Sequence, residues 1–186
     1  LAMTNLKLRL FILILLVCPA AAAAQTSTEV FDTALKAYNA KDYGVAAEGF
    51  AKYTGLKPSD SAGFFNLGLC YAKLQRQAEA VPNFKKAIAL STNYYNPAVQ
   101  LGYAYLDLDK FSDAITAFTS AATADPAKPD PHYGIGLAHR YAKNPAEAEK
   151  AFAKAIAVGP ARPSFYYQLA STQYDSQKYK EAIVNY

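Results

Sequence analysis

YNPAVQLGYAYLDLDKFSDAITAFTSAATADPAK, residues 95–128, sets the pattern for most of the chain. Its marked positions are Ala98, Leu101, Gly102, Tyr105, Ala114, Phe118, Ala121 and Pro126. A step of 34 residues back (118 − 84 = 34) meets Phe64, Leu67, Gly68, Tyr71, Ala80, Phe84 and Ala87, with Thr92 in the proline slot. A step of 34 forward (152 − 118 = 34) meets His132, Ile135, Gly136, His139, Ala148, Phe152, Ala155 and Pro160. Two steps back still find Ala46, Phe50 and Pro58, and two forward find Tyr166, Leu169, Ala170, Ala182 and Tyr186. Large and small residues in fixed slots at a fixed period of this length mean stacked supersecondary units.

Within residues 95–128, apolar side chains recur at helical spacing in two runs split by a short polar turn, which predicts helices over about 95–108 and 112–124. Gly102 marks a close approach of the two helices, with Ala114 and Ala121 small on the facing helix and Phe118 filling the space between. Pro126 ends the second helix, since it lacks an amide hydrogen and disfavours helix in its predecessor.

The spacing and residue types resemble the tetratricopeptide-repeat family, from about Ser27 to Tyr186. The resemblance implies an all-α fold, a right-handed superhelical solenoid of antiparallel helix pairs. The domain boundaries expected are a leader at 1–24 and a solenoid at 25–186, with units at about 27–60, 61–94, 95–128, 129–162 and an incomplete 163–186. Half of the chain is apolar, much of it alanine, which suits close helix packing rather than a thick core.

Turn and cap signals punctuate the units. Asp42 is the expected cap of the first unit's second helix, and Ser59-Asp60-Ser61 that of the next helix. Pro82 falls near a first turn, where a missing amide is tolerated. Ser112 or Asp109 is expected to cap the third unit's second helix, and Asn144 to cap a helix that starts at Pro145. Pro129-Asp130-Pro131 and Arg162-Pro163 open further helices. The first unit is the least regular, with Val30 and Ala34 in the large and glycine slots. No polar capping helix follows the fifth unit, so the chain is expected to be part of a longer protein.

The first residues predict export. Lys7 and Arg9 precede an apolar run from Leu10 to Val17, and Pro19 to Ala24 offers small residues for cleavage before Gln25. That run, about 8 residues, is far short of the roughly 20 needed to span a bilayer. Cys18, flanked by Val17 and Pro19, lacks the small preceding residue that a lipoprotein signal wants. A lipid or uncleaved anchor is therefore the weaker alternative to a cleaved, periplasmic form. The formal charge of +4 drops to +2 without Lys7 and Arg9 (4 − 2 = 2), which points away from nucleic acid. Cys70 is then the sole cysteine, expected as a buried thiol.

No catalytic constellation stands out. His132 and His139 lie seven apart on one helix, but they occupy slots that hold Phe64, Tyr71, Ala98 and Tyr105 elsewhere, and no third ligand is spaced to complete a metal site. Gly134-Ile135-Gly136 lacks a preceding strand and the final glycine of a dinucleotide loop. No nucleophile elbow and no paired carboxylates in an apolar setting appear. The expectation is a non-enzyme with no cofactor and no metal.

What remains is surface. The family resemblance implies a concave groove lined by the first helix of each unit. By repeat position it would be formed by Phe31, Leu35, Phe65, Leu69, Val99, Tyr103, Tyr133, Leu137, Tyr167 and Ser171. Tyrosine and phenylalanine give large contact area at low entropy cost, which suits recognition of a protein or peptide partner. The competing reading places some of these rings in the core. The carboxylate-clamp subclass of the family is not matched. Its cationic slots hold Phe31, Leu35, Asn66, Asn96 and Gln100 in one register, and Phe65, Leu69, Gln100, Asp130 and Gly134 in the next. The expected function is a non-catalytic interaction scaffold in the bacterial envelope. The alternative is the recruiting arm of an enzyme whose catalytic domain lies beyond Tyr186. Self-association through the uncapped last unit is a third possibility.

Overall fold

In the computed structural model, residues 26–160 and 162–185 are described, and the leader reading falls outside them. Ten α-helices run in order among the described residues, with no strand. They are α1 (Ser27–Asn39), α2 (Tyr43–Leu56), α3 (Ser61–Lys73), α4 (Gln77–Leu90), α5 (Tyr95–Asp107), α6 (Phe111–Ala124), α7 (Asp130–Tyr141), α8 (Pro145–Val158), α9 (Pro163–Asp175) and α10 (Tyr179–Asn185). Each helix packs on its chain neighbours, and the short links make those neighbours antiparallel. α5 also touches α3 and α7, so first helices of successive pairs lie side by side. The expected limits of α5 and α6 hold to within a residue.

The turn inside every pair is built the same way. Lys41, Gln75, Asp109, Lys143 and Gln177, each 34 apart, adopt left-handed backbone with φ between 56° and 64°. The next amide then reaches back to a carbonyl five residues earlier, as from Asp42 to Ala37 at 2.9 Å and from Asn144 to His139 at 2.8 Å. The left-handed residue itself donates to a carbonyl three earlier, as from Lys143 to Arg140 at 3.0 Å. This is the Schellman closure, which satisfies the last carbonyls of the first helix. No glycine occupies the left-handed position in any of the five turns.

Helix starts follow the expectations unevenly. Asp42 and Asp60 cap α2 and α3, accepting from Val45 N at 3.2 Å and Ala62 N at 2.9 Å. For α6, the cap residue is Lys110, without a side-chain bond. Asp109 cannot cap because it is the left-handed residue of the turn, and Ser112 is already inside the helix. Asn144 precedes Pro145 as expected, but its side chain makes no capping bond. Pro82 lies beyond the first turn of α4, a turn deeper than its sequence context suggests.

The core is a row of identical knobs. Phe50, Phe84, Phe118 and Phe152 have no exposed surface, and they are bracketed by fully buried Ala46, Ala80, Ala114 and Ala148. A Cβ on Gly68, Gly102 or Gly136 would stand 2.6, 2.6 or 2.4 Å from the Phe84, Phe118 or Phe152 ring. Glycine in this slot is what lets each phenylalanine seat against the first helix. The first unit solves the problem in reverse: Ala34 replaces the glycine, and Gly49 on the facing helix gives way, since a Cβ there would lie 2.7 Å from Ala34 Cβ. Cys70 is fully buried, and burial pushes its thiol up to about 11, so it is an inert packing residue.

Candidate partner-binding surface

The ten residues expected to line a groove all lie on first helices, and the structure divides them by what they touch. Phe31 and Leu35 pack against the first core cluster, Phe65, Leu69, Tyr103 and Leu137 against the central one, and Tyr133 against the last. Val99 is itself buried in the central cluster. Tyr167 is 56% exposed, and Ser171 is half-buried.

The aromatic rings stand on the phenylalanine knobs. Phe31 meets Phe50 edge-on at 5.3 Å, Tyr103 meets Phe118 edge-on at 5.1 Å, and Phe65 tilts over Phe84 at 6.1 Å. Tyr133 sits between Phe152 at 5.7 Å and Phe165 at 4.9 Å. These are favourable aromatic geometries. Each ring is therefore half core and half surface, so internal packing and exposure share the same side chain.

Two tyrosines, Tyr95 and Tyr103, lie within electrostatic reach of one ion pair. Arg162 bonds both carboxylate oxygens of Asp130, and its guanidinium lies 5.1 Å from the Phe165 ring centre. Burial pushes Tyr103 up to about 12, with Asp130 adding to the rise. Tyr95 is likewise pushed up to about 12, by burial first and then by Asp130 and Asp125. Tyr133 is raised by burial, while its hydrogen bond with Gln168 opposes the rise. All three phenols stay neutral at physiological pH and can both donate and accept. Sequence reading gave Asp130 and Arg162 only as residues that open helices, and gave Tyr95 no role; the visible signal was the Asp and Arg opening successive first helices beside prolines.

A second tie crosses from α7 to α9. Arg140 donates to Gln168, to Ser171 Oγ at 2.9 Å and to Asp175 at 3.3 Å. Ser171 thus answers to Arg140. With Asp130 held by Arg162 and Asp175 by Arg140, much of the charge on this side is internally paired. The surface offers aromatic area and neutral polar tips.

The two histidines lie on the other side of α7, along a furrow between α6 and α8, and His132 is only 7% exposed. Among the described residues no group of three or more metal-binding side chains comes together. No helix there is long and apolar enough to cross a membrane.

Comparison with known families now decides the lineage. Models described as tetratricopeptide repeat match residues 61–94, 99–163 and 133–186. The chain is a tetratricopeptide-repeat protein. No curated protein matches this tetratricopeptide-repeat chain. Among solved structures, one of MamA is 22% identical with a TM-score of 0.77, over 82% of this chain and 89% of that one. MamA from Desulfovibrio magneticus RS-1 is 18% identical with a TM-score of 0.79, over 86% and 90%. PilF of Pseudomonas aeruginosa is 18% identical with a TM-score of 0.73, over 86% and 72%. At these identities the likeness carries the fold alone.

Proposed function

We propose that this protein is an exported, non-catalytic scaffold of the bacterial envelope that holds a protein or peptide partner along its first helices. The observation that carries the reading is the row of half-buried rings seated on buried phenylalanines, from Phe31 to Tyr133, continued by exposed Tyr167. Rings anchored on one face and open on the other are pre-organised, so little rotamer freedom is lost on binding. Neutral phenols and paired charges favour an apolar, largely uncharged segment, held in a helix-in-groove or extended mode. Export rests on Lys7, Arg9 and the apolar run before Gln25.

The test places a photo-crosslinking residue at Leu69 or Tyr167 and, as a control, at Ser120 on the opposite side, in the native host. A discrete adduct from Leu69 and Tyr167, and none from Ser120, is expected. Adducts from Ser120 alone would sink the reading. N-terminal sequencing of the recovered native chain is expected to begin at Gln25; an intact leader would refute the cleaved, exported form. Tyr103→Ala and Tyr133→Ala are poor probes by themselves, because each would also remove a ring from the core.

A further inference from the structure

The joint between the α7–α8 pair and the α9–α10 pair is made of different material from the joint before it. Arg140, Glu149 and Asp175 all carry charge into it. Their slots one unit earlier hold Leu106, Ile115 and Tyr141 (140 − 106, 149 − 115 and 175 − 141 are each 34). Leu106 is buried in the central cluster, Ile115 packs against that cluster, and Tyr141 lies 6.2 Å from the Phe111 ring. Thr172, only 1% exposed, stands in the slot that holds buried Ala138 and Ala104 in the two preceding units. Apolar slots are thus exchanged for charged and polar ones on the same helical frame.

Three ion pairs cross this joint among the described residues. Arg162 meets Asp130, Arg140 meets Asp175 at 3.3 Å, and Lys178 meets Glu149 at 2.6 Å. Buried Gln173 donates to Glu149 at 3.1 Å and accepts from Asn185 at 2.9 Å, so α8, α9 and α10 share one network. The last apolar cluster, Ala148, Phe152 and Leu169, is the smallest of the three described. Ion pairs at a surface are screened by salt, whereas apolar contact is not. The six side chains of these pairs keep 24–60% of their surface exposed, so salt reaches all of them.

We propose that α9 and α10 form an arm latched onto α7 and α8 by these ion pairs, closed at low ionic strength and released more often as salt screens them. Closure assembles the far end of the ring row. With the arm closed, Phe165 lies 4.9 Å from Tyr133, and Tyr167 and Ser171 continue the row that begins at Phe31. Release lifts Phe165 and Leu169, 2% and 7% exposed, away from Tyr133 and Phe152. That the row receives a partner rests on the function proposed above. The latch does not depend on it, and the test uses the protein alone.

The experiment is hydrogen exchange of the full chain in about 0.01 M and about 1 M sodium chloride, between which the screening length falls from about 30 Å to about 3 Å. Exchange in α9 and α10 is expected to speed up about tenfold, since exposed pairs each shift an equilibrium about two- to threefold and three act together. α1 and α2, joined to α3 through the cluster of Phe50, Leu67 and Cys70, should change little. The triple variant Asp130→Asn, Glu149→Gln, Asp175→Asn keeps its acceptors but loses the charge, so its α9 and α10 should exchange at the high-salt rate in both buffers. Salt-independent exchange in α9 and α10, or equal acceleration in α1 and α2, would overturn the latch. A triple variant that kept the wild-type salt response would overturn it as well. Leu169→Cys with Cys70→Ala places a single thiol under the arm, and its labelling by a thiol reagent should speed up with salt by the same factor. Labelling indifferent to salt would mean that α9 frays without lifting from Phe152, against the proposal.

Discussion

Lys143 shows how much of this molecule is decided one residue at a time. With φ at 60° it holds the turn between α7 and α8, and its amide and the next one close the helix end. A residue with a Cβ is strained in this region by about 1–2 kcal/mol, partly offset by the greater unfolded-state entropy of glycine. Lys143→Gly is therefore expected to stabilise the protein by about 0.5–1 kcal/mol, a rise of roughly 1–4 °C in Tm on thermal denaturation; a fall would mean that the lysine makes contacts that outweigh the strain. His132 makes a second single-residue case. Burial holds its folded-state pKa below the unfolded value of about 6.5. As pH drops through that value the unfolded chain takes up a proton that the folded chain resists, so stability is lost on the acid side and is flat above it. Between the unfolded and folded values, the free energy of unfolding should fall by up to about 1.4 kcal/mol per pH unit, as read by denaturant titration, and His132→Phe, the residue of slot 64, should reduce that slope. Neither effect was legible from residue type alone. A left-handed lysine carries no glycine to flag it, and the histidine reads as one more packing slot until its partners are sought in space.

Pairs of helices are held as pairs by the glycine and phenylalanine slots, and those were legible because they repeat in register. The ties between pairs were not. Arg140 lies 28, 31 and 35 residues from Gln168, Ser171 and Asp175, and these types differ from unit to unit, so no periodicity announces the ties. The misplaced caps have a related cause: Asp109 is a good capping residue by chemistry, but the turn needs it in left-handed backbone instead. The Arg140 fan predicts how the end of the solenoid opens. Its side chain is 30% exposed and joins α7 to three positions of α9. Arg140→Ala should cost about 1 kcal/mol, as partly exposed charged bonds do. Because contacts in a solenoid are local, the loss belongs to α9 and α10. Hydrogen exchange should speed up there and stay unchanged in α3 to α6; uniform acceleration would show that the fan has no local role.

At the scale of the whole molecule, a stack of units is stable through nearest-neighbour interfaces, with no single core that spans the chain. Phe118 is where two interfaces meet. It is fully buried, and its ring would touch a Cβ placed on Gly102, within its own pair, at 2.6 Å and on Gly134, on the next first helix, at 2.5 Å. Phe50 has the same burial but sits in the first unit, with no described unit before it. The two substitutions remove the same ring and should cost similar amounts locally, about 3–5 kcal/mol for a buried phenylalanine. Their consequences for cooperativity should differ. Phe50→Ala weakens one end, so urea unfolding keeps a single main transition with early fraying of α1 and α2. Phe118→Ala weakens the joint between the two halves, and the same titration should broaden or split as α1 to α4 and α7 to α10 lose their coupling. If both variants kept the full wild-type slope with only a shifted midpoint, the molecule would be behaving as one cooperative body, and the nearest-neighbour account of its stability would fail.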